Sequence, residues 1–87
     1  MAANDLLALG AMRTVLSRGL RVPEDMAVSG FNDFDFSAFV EPALTTVSIP
    51  VYEMGRSAAG AVVDALEGRP SEPLSAFPVE VILRAST

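Results

Sequence analysis

The stretch MAVSGFNDFDFS, residues 26–37, joins a short apolar run to a loop in which large rings alternate with small polar groups. The run MAVSG (26–30) does not alternate between apolar and polar residues, which is typical of a strand buried on both faces of a sheet. A helix that feeds such a strand through a short turn is half of a parallel α/β unit. The stretch therefore predicts an α/β fold, with the loop at the carboxyl end of a buried strand.

Residues 4–18, upstream of this strand, have the pattern of an amphipathic helix. Asn4 is a suitable N-cap, and apolar side chains then recur at three- and four-residue spacing. Gly19 fits the left-handed position after a helix end, and Leu20 would pack back on the last turn as in a Schellman motif. We expect the buried face to consist of Leu6, Leu9, Met12, Val15 and Leu16.

Two further strands and a second helix follow. LTTVSI (44–49) is rich in β-branched residues and ends at Pro50, which suits the first position of a helix. That helix is predicted over 50–67, and alternation predicts a last strand over 77–84. The second helix carries an unbroken apolar stripe formed by Val51, Met54, Ala58, Val62 and Leu66.

Composition excludes several classes of function. The 87-residue chain is long enough for one small domain and has neither cysteine nor histidine, so disulfides, most zinc sites and the commonest general base are missing. The net charge is −5 and the six cations, all arginines, are scattered, which argues against a DNA-binding surface. No signal peptide or membrane-spanning run is evident, so we expect a cytoplasmic chain.

Catalysis and metal binding are poorly supported. No histidine or lysine could activate a serine or threonine, and Asp33, Asp35 and Glu41 are carboxylates of a type that turns usually leave solvated. A calcium loop starting at Asp33 fails because Ser37 is a poor ligand and Leu44 stands where the bidentate glutamate belongs. We predict no enzyme, no metal and no cofactor.

Binding is the better hypothesis, because ligands of open α/β sheets lie outside the carboxyl ends of strands. Asn32 and Asp33 follow one such end, and Asn4 and Asp5 would follow another if a strand preceded Met1. Amides both donate and accept hydrogen bonds, which suits hydroxyl-rich ligands. The alternative is local: Asn4 is only a cap, and Asn32 and Asp33 only form an Asx-type turn. Residue types alone favour the local roles.

Three segments resemble the C-terminal part of lac-repressor (LacI/GalR) family transcription regulators: AANDLLALGAMRTVLSRGLRVPEDMAVSGFNDF (2–34), PALTTVSIPVYEMGRSA (42–58) and VILRAST (81–87). The resemblance implies a partial periplasmic-binding-protein-like I fold, in which two α/β lobes enclose a crevice for a small-molecule effector such as a sugar. It covers about the last quarter of such a regulator, without the DNA-binding domain. Residues 1–49 and the C-terminal end would come from one lobe, and 50–83 largely from the other.

The resemblance also implies site residues. Asn4 matches a position that touches the effector, and Val51 matches a position where larger apolar side chains line the crevice in some members. Asn32 matches another effector contact, but the family usually has aspartate there, so contact with vicinal hydroxyls would weaken or change. Asp5 and Asp33 are secondary candidates beside them. The positions where family dimers join are Leu9, Arg13, Phe39 and Val40.

These observations predict a partial LacI-type regulator whose segment binds a small-molecule effector and forms a homo-oligomer, most simply a dimer. The alternative is a structural fragment that binds no ligand and only oligomerises. Neither interpretation involves binding of DNA or of a membrane by these residues.

Overall fold

The computed structural model describes residues 1–73 and 76–87. The chain forms two compact units, of which the first comprises Met1–Ser48 with Glu80–Thr87 and the second Ile49–Val79. The first unit contains helix α1, a 3₁₀ turn and strands β1 and β2, and the second contains helix α2. Their bounds are Asp5–Ser17 for α1, Asp35–Ala38 for the 3₁₀ turn, Thr46–Ser48 for β1, Val51–Leu66 for α2 and Glu80–Ile82 for β2.

Helix α1 begins and ends as its sequence predicts. Asn4 is the N-cap, and its side-chain Oδ1 accepts a hydrogen bond from the Leu7 N–H at 2.9 Å. Gly19 has a φ of 76°, and the N–H groups of Gly19 and Leu20 donate to carbonyls of the last turn at 3.0 and 3.3 Å. These two bonds form a Schellman motif, which satisfies carbonyls that the helix leaves free.

The buried face of α1 differs from the predicted one. Met12 and Val15 are buried as expected, but Leu6 and Leu16 are exposed. The buried stripe instead runs through Asp5 and Ala8, so the helix is rotated toward a polar residue at its first position. The core of the first unit consists of Ala8, Met12, Val15, Val22, Val28 and Leu44.

The predicted strand at 26–30 is reduced to one isolated parallel bridge between Ser29 and Thr45. The segment loses its first half because Met26 donates its N–H to the Arg21 carbonyl at 3.1 Å, which closes the preceding turn and leaves Met26 half exposed. Parallel hydrogen bonding continues beyond the bridge, where Gly30 donates to the Thr45 carbonyl at 2.9 Å. The expectation of burial on both faces holds for Val28 and fails for Met26.

Strands β1 and β2 form an antiparallel pair in which Thr46 faces Ile82 and Ser48 faces Glu80. Both are shorter than the predicted strands at 44–49 and 77–84. Beyond Ile82 the chain leaves the ladder, and the buried Ser86 bridges two other segments instead. Its hydroxyl donates to the Val28 carbonyl at 2.6 Å and accepts from the Thr45 N–H at 2.9 Å.

The second unit is built on α2, which starts one residue later than predicted. Pro50 is the N-cap, because its ψ of 71° is not helical while its carbonyl accepts the Met54 N–H at 2.9 Å. Gly68, with a φ of 70°, ends the helix. No residue of α2 is buried, so the predicted apolar stripe is largely exposed. Part of the linker predicted at 69–76 lies outside the described residues.

No helix in the described part of the chain is both long and apolar enough to traverse a bilayer.

The two glycines of the α1 region give opposite predictions. Alanine at Gly19 must adopt a positive φ, which costs roughly 1–2 kcal/mol, so Gly19→Ala should lower the free energy of unfolding. Gly10 lies within the helix with open space around its Cα, so Gly10→Ala should raise it by roughly 0.5–1 kcal/mol. Urea unfolding followed by circular dichroism measures both. Equal effects of the two substitutions would contradict the Schellman geometry.

Candidate functional site

The loop after Gly30 contains two consecutive residues in the left-handed region. Asn32 has a φ of 100° and Asp33 a φ of 54°. Asparagine and aspartate tolerate this region better than other side chains, but such residues still cost of order 1–3 kcal/mol each. The conformation therefore has to be held by contacts elsewhere, and strain of this kind is concentrated at functional sites.

The carboxylate of Asp5 provides one set of those contacts. Asp5 is fully buried at the start of α1, and its Oδ2 accepts from the Phe34 N–H at 2.8 Å and from the Ser37 hydroxyl at 2.5 Å. Its Oδ1 accepts from the Thr46 hydroxyl at 2.6 Å. Both oxygens are occupied and shielded, so Asp5, a secondary candidate for ligand contact, holds the loop against α1 and β1 instead.

Gly30 permits this arrangement by its lack of a side chain. A Cβ built on Gly30 would collide with the Asp5 carboxylate and lie 3.0 Å from the Asp5 Cα. Any larger residue would therefore push α1 away from the end of the 28–30 segment. Gly30 thus marks a close approach of two backbones, which is a regular use of glycine.

Arg84 provides a second set of contacts, which sequence reasoning missed. Its Nη2 donates to Asp33 Oδ1 at 2.9 Å, and its Nη1 donates to the Leu44 carbonyl at 2.9 Å. The Asp33 N–H also donates to the Thr46 hydroxyl at 3.2 Å. Asp33, the other secondary candidate, is therefore tied into the first unit through both its backbone and its side chain.

The structure brings Asn4 and Asn32 to the same end of the first unit, because the Asp5 N–H donates to the Phe31 carbonyl at 3.1 Å. Both asparagines are partly buried. Asn4 uses Oδ1 for the cap, which leaves its Nδ2 donors, and among the described residues the Asn32 side chain makes no hydrogen bond. No Asx-type bond from Asn32 or Asp33 to the turn is present in that part of the chain. Amides with free donors can bind hydroxyl groups.

Val51 and the predicted dimer positions lie on other parts of the chain. Val51, the first residue of α2, belongs to the second unit and is 61% exposed. Of the predicted dimer positions, Leu9 and Val40 pack partly on the core of the first unit, while Arg13 and Phe39 are exposed. Phe39 is 87% exposed, an unusual state for so large an apolar side chain. Within 1–73 and 76–87 no cluster of acidic side chains could hold a metal ion.

Comparison with known proteins identifies the family. Residues 1–87 match the model of the periplasmic binding protein-like domain. The lactose operon repressor of Rhizobium radiobacter is 40% identical over 86 residues, which is 99% of this chain and 76% of that sequence. The chain belongs to the LacI/GalR family of transcriptional regulators. Its fold class is accordingly that of the periplasmic-binding-protein-like proteins.

Two further transcriptional regulators are similar to this chain over nearly its whole length. MalR of Streptomyces coelicolor is 42% identical over 89 residues, covering 100% of this chain and 26% of that protein. The structure of the transcriptional regulator CelR in complex with cellobiose superposes with a TM-score of 0.86 and 37% identity, covering 99% of this chain and 28% of that one. The chain spans 25–26% of the length of the first curated relatives that it matches.

The buried carboxylate leads to a prediction about stability. In Asp5→Asn an amide group would face the Ser37 hydroxyl and the Phe34 N–H, and the charge-assisted bonds would be lost. We expect the free energy of unfolding to fall by about 2 kcal/mol. Asp35→Asn, an exposed carboxylate in the same loop, is the matched control and should change it little. Thermal unfolding compares the two, and equal midpoints would show that Asp5 does not anchor the loop.

Proposed function

We propose that these residues form part of the effector-binding and dimerisation domain of a LacI-type transcriptional regulator and bind a sugar or a related small molecule. The main support is the geometry of Asn32, whose side-chain amide is unengaged within the described residues and whose backbone is held in a strained conformation. The related CelR structure contains cellobiose, which supports a carbohydrate as the ligand class. The function is binding and not catalysis.

In the proposed site, Asn4 supplies amide donors and Asn32 supplies both donors and an acceptor to neighbouring hydroxyls of the ligand. Val51, the first residue of α2, stays a predicted apolar contact of the ligand. The chain then belongs to two lobes, with 1–49 and the C-terminal end in one and 50–83 largely in the other. The division into compact units, with boundaries at Ile49 and Val79, supports this assignment.

The proposed place of action is the cytoplasm. These 87 residues do not bind DNA, because their net charge of −5 repels the phosphate groups. Dimerisation uses the four predicted positions, of which Arg13 and Phe39 are exposed and Leu9 and Val40 are partly buried against the core. The exposure of Phe39 supports this role, since a solvated aromatic ring of that size is commonly an interface residue.

A second candidate function is oligomerisation without any ligand. It is favoured by α2, none of whose residues is buried and whose Val62 and Leu66 are exposed. Apolar surface of this kind promotes association whether or not a crevice binds an effector.

The two candidates differ in their response to sugars. In titration calorimetry against cellobiose, sucrose and ribose, we expect saturable binding that is weakened by Asn32→Ala. Asn32→Asp should tighten it by about 1 kcal/mol, or roughly fivefold, because hydrogen bonds to a charged acceptor are stronger. Glu24→Gln, on an exposed turn, is the control.

Unchanged affinity in both Asn32 variants would remove this residue from the site. A flat response of the unmodified chain to every sugar would favour oligomerisation alone.

The oligomeric state is a separate prediction. We expect sedimentation velocity at micromolar concentration to give the mass of a homodimer, because burial of exposed apolar side chains contributes roughly 1.5–3 kcal/mol for each large one. Phe39→Ser should shift the equilibrium toward monomer, whereas Arg18→Ser, at an exposed position at the end of α1, should not. A compact, cooperatively unfolding monomer over the whole concentration range would contradict the prediction.

A further inference from the structure

We propose that Arg84 is a positioning residue for Asn32: by its ion pair with Asp33 it sets the orientation of the Asn32 amide toward the ligand. The inference rests on the proposed function for its last step, since it assumes that Asn32 contacts a ligand. Its first step, that Arg84 holds the conformation of residues 32–33, does not depend on any ligand.

Arg84 is fixed at three points. Its backbone N–H donates to the Thr45 hydroxyl at 2.8 Å, and its guanidinium donates at 2.9 Å both to the Leu44 carbonyl and to Asp33 Oδ1. The side chains of Arg84 and Asp33 are 18% and 26% exposed, so the pair is shielded from most of the solvent. A planar fork that contacts a carbonyl and a carboxylate together allows little rotation.

Asp33 transmits this constraint to its neighbour. Asn32 and Asp33 are consecutive residues with positive φ, so neither can relax toward an ordinary backbone conformation without moving the other. The Asp33 N–H is bonded to Thr46, and the Asn32 N–H donates to the Val47 carbonyl at 2.9 Å. Loss of the Arg84 ion pair would remove the contact that holds the Asp33 side chain. The backbone of Asn32 and Asp33 could then relax from its positive φ angles.

The effect of Arg84 should be local. The other end of the loop is anchored separately, since Phe34 and Ser37 bond to the buried Asp5. Removal of the Arg84 guanidinium therefore leaves that anchor and the core in place. A purely structural role would instead loosen the first unit as a whole.

Lysine cannot replace the arginine fully. A single ammonium on a flexible stem can approach Asp33 or the Leu44 carbonyl, but it lacks the fork that spans the two. Arg84→Lys should therefore fall between the unmodified chain and Arg84→Met in every measurement. Arg18→Met, which removes an exposed arginine elsewhere, is the matched control.

The test uses the full chain and two readouts. The first is amide hydrogen exchange by NMR, in which Arg84→Met and Asp33→Asn should each speed exchange at Asn32 and Asp33 roughly tenfold and leave the α1 amides unchanged. The second is the affinity for cellobiose, which each substitution should lower by roughly tenfold. The double variant, Arg84→Met with Asp33→Asn, should lose no more affinity for cellobiose than either single variant, because both substitutions break the same ion pair.

Several results would overturn the proposal. The first is unchanged amide exchange at Asn32 and Asp33 in the single variants. The second is amide exchange that rises equally throughout α1. The third is a loss of cellobiose affinity in the double variant that equals the sum of the two single losses. The failure of the proposed function is distinguishable: a chain that binds no cellobiose but shows the selective exchange would refute the ligand site and support the coupling of Arg84 to residues 32–33.

Discussion

The buried carboxylate of Asp5 joins three separate segments of the first unit to the start of α1. An ionised group removed from water is costly unless hydrogen bonds replace its hydration, so Asp5 requires several donors at short distance. Those donors are Phe34, Ser37 and Thr46, which come from the loop, the 3₁₀ turn and β1. The start of α1, the course of the loop and the register of β1 are therefore linked, and Gly30 is required because nothing larger fits beside the carboxylate.

Sequence reasoning succeeded where the chemistry is local. The cap at Asn4 and the stop at Gly19 depend on groups within five residues of one another, and both were predicted. The role of Asp5 could not be, because its partners lie 29 to 41 residues away and an aspartate in the first turn of a helix already has a sufficient explanation. Arg84 was missed for the same reason, because it lies 51 positions after Asp33 in the sequence. The available signal was a lone cation in the predicted strand 77–84 of a chain that has an acidic loop.

The errors in secondary structure have a tertiary cause as well. The pattern of 26–30 is that of a strand, but Met26 is used to close the turn after α1 and Ser86 occupies part of the hydrogen bonding of Val28. The apolar residues of α1 likewise exceed what one face can bury, and the face that packs is the one carrying Asp5. In the candidate site, Asn4 and Asn32 were chosen by position and by family resemblance, and the bond between Asp5 and Phe31 brings them to the same end of the first unit.

The first unit is discontinuous in sequence, and this affects the time at which it can form during synthesis. Ser86 joins Val28 to Thr45 through its hydroxyl, and Arg84 joins Leu44 to Asp33, so residues near the C-terminus complete a structure whose other parts precede Ile49. A ribosome must therefore translate the whole second unit before the first can close. Until then α1 and the loop are held only by contacts among earlier residues, and the hydrogen bonds that Ser86 makes with Val28 and Thr45 are missing. Contacts between such distant residues also slow folding, because a long loop must be ordered first.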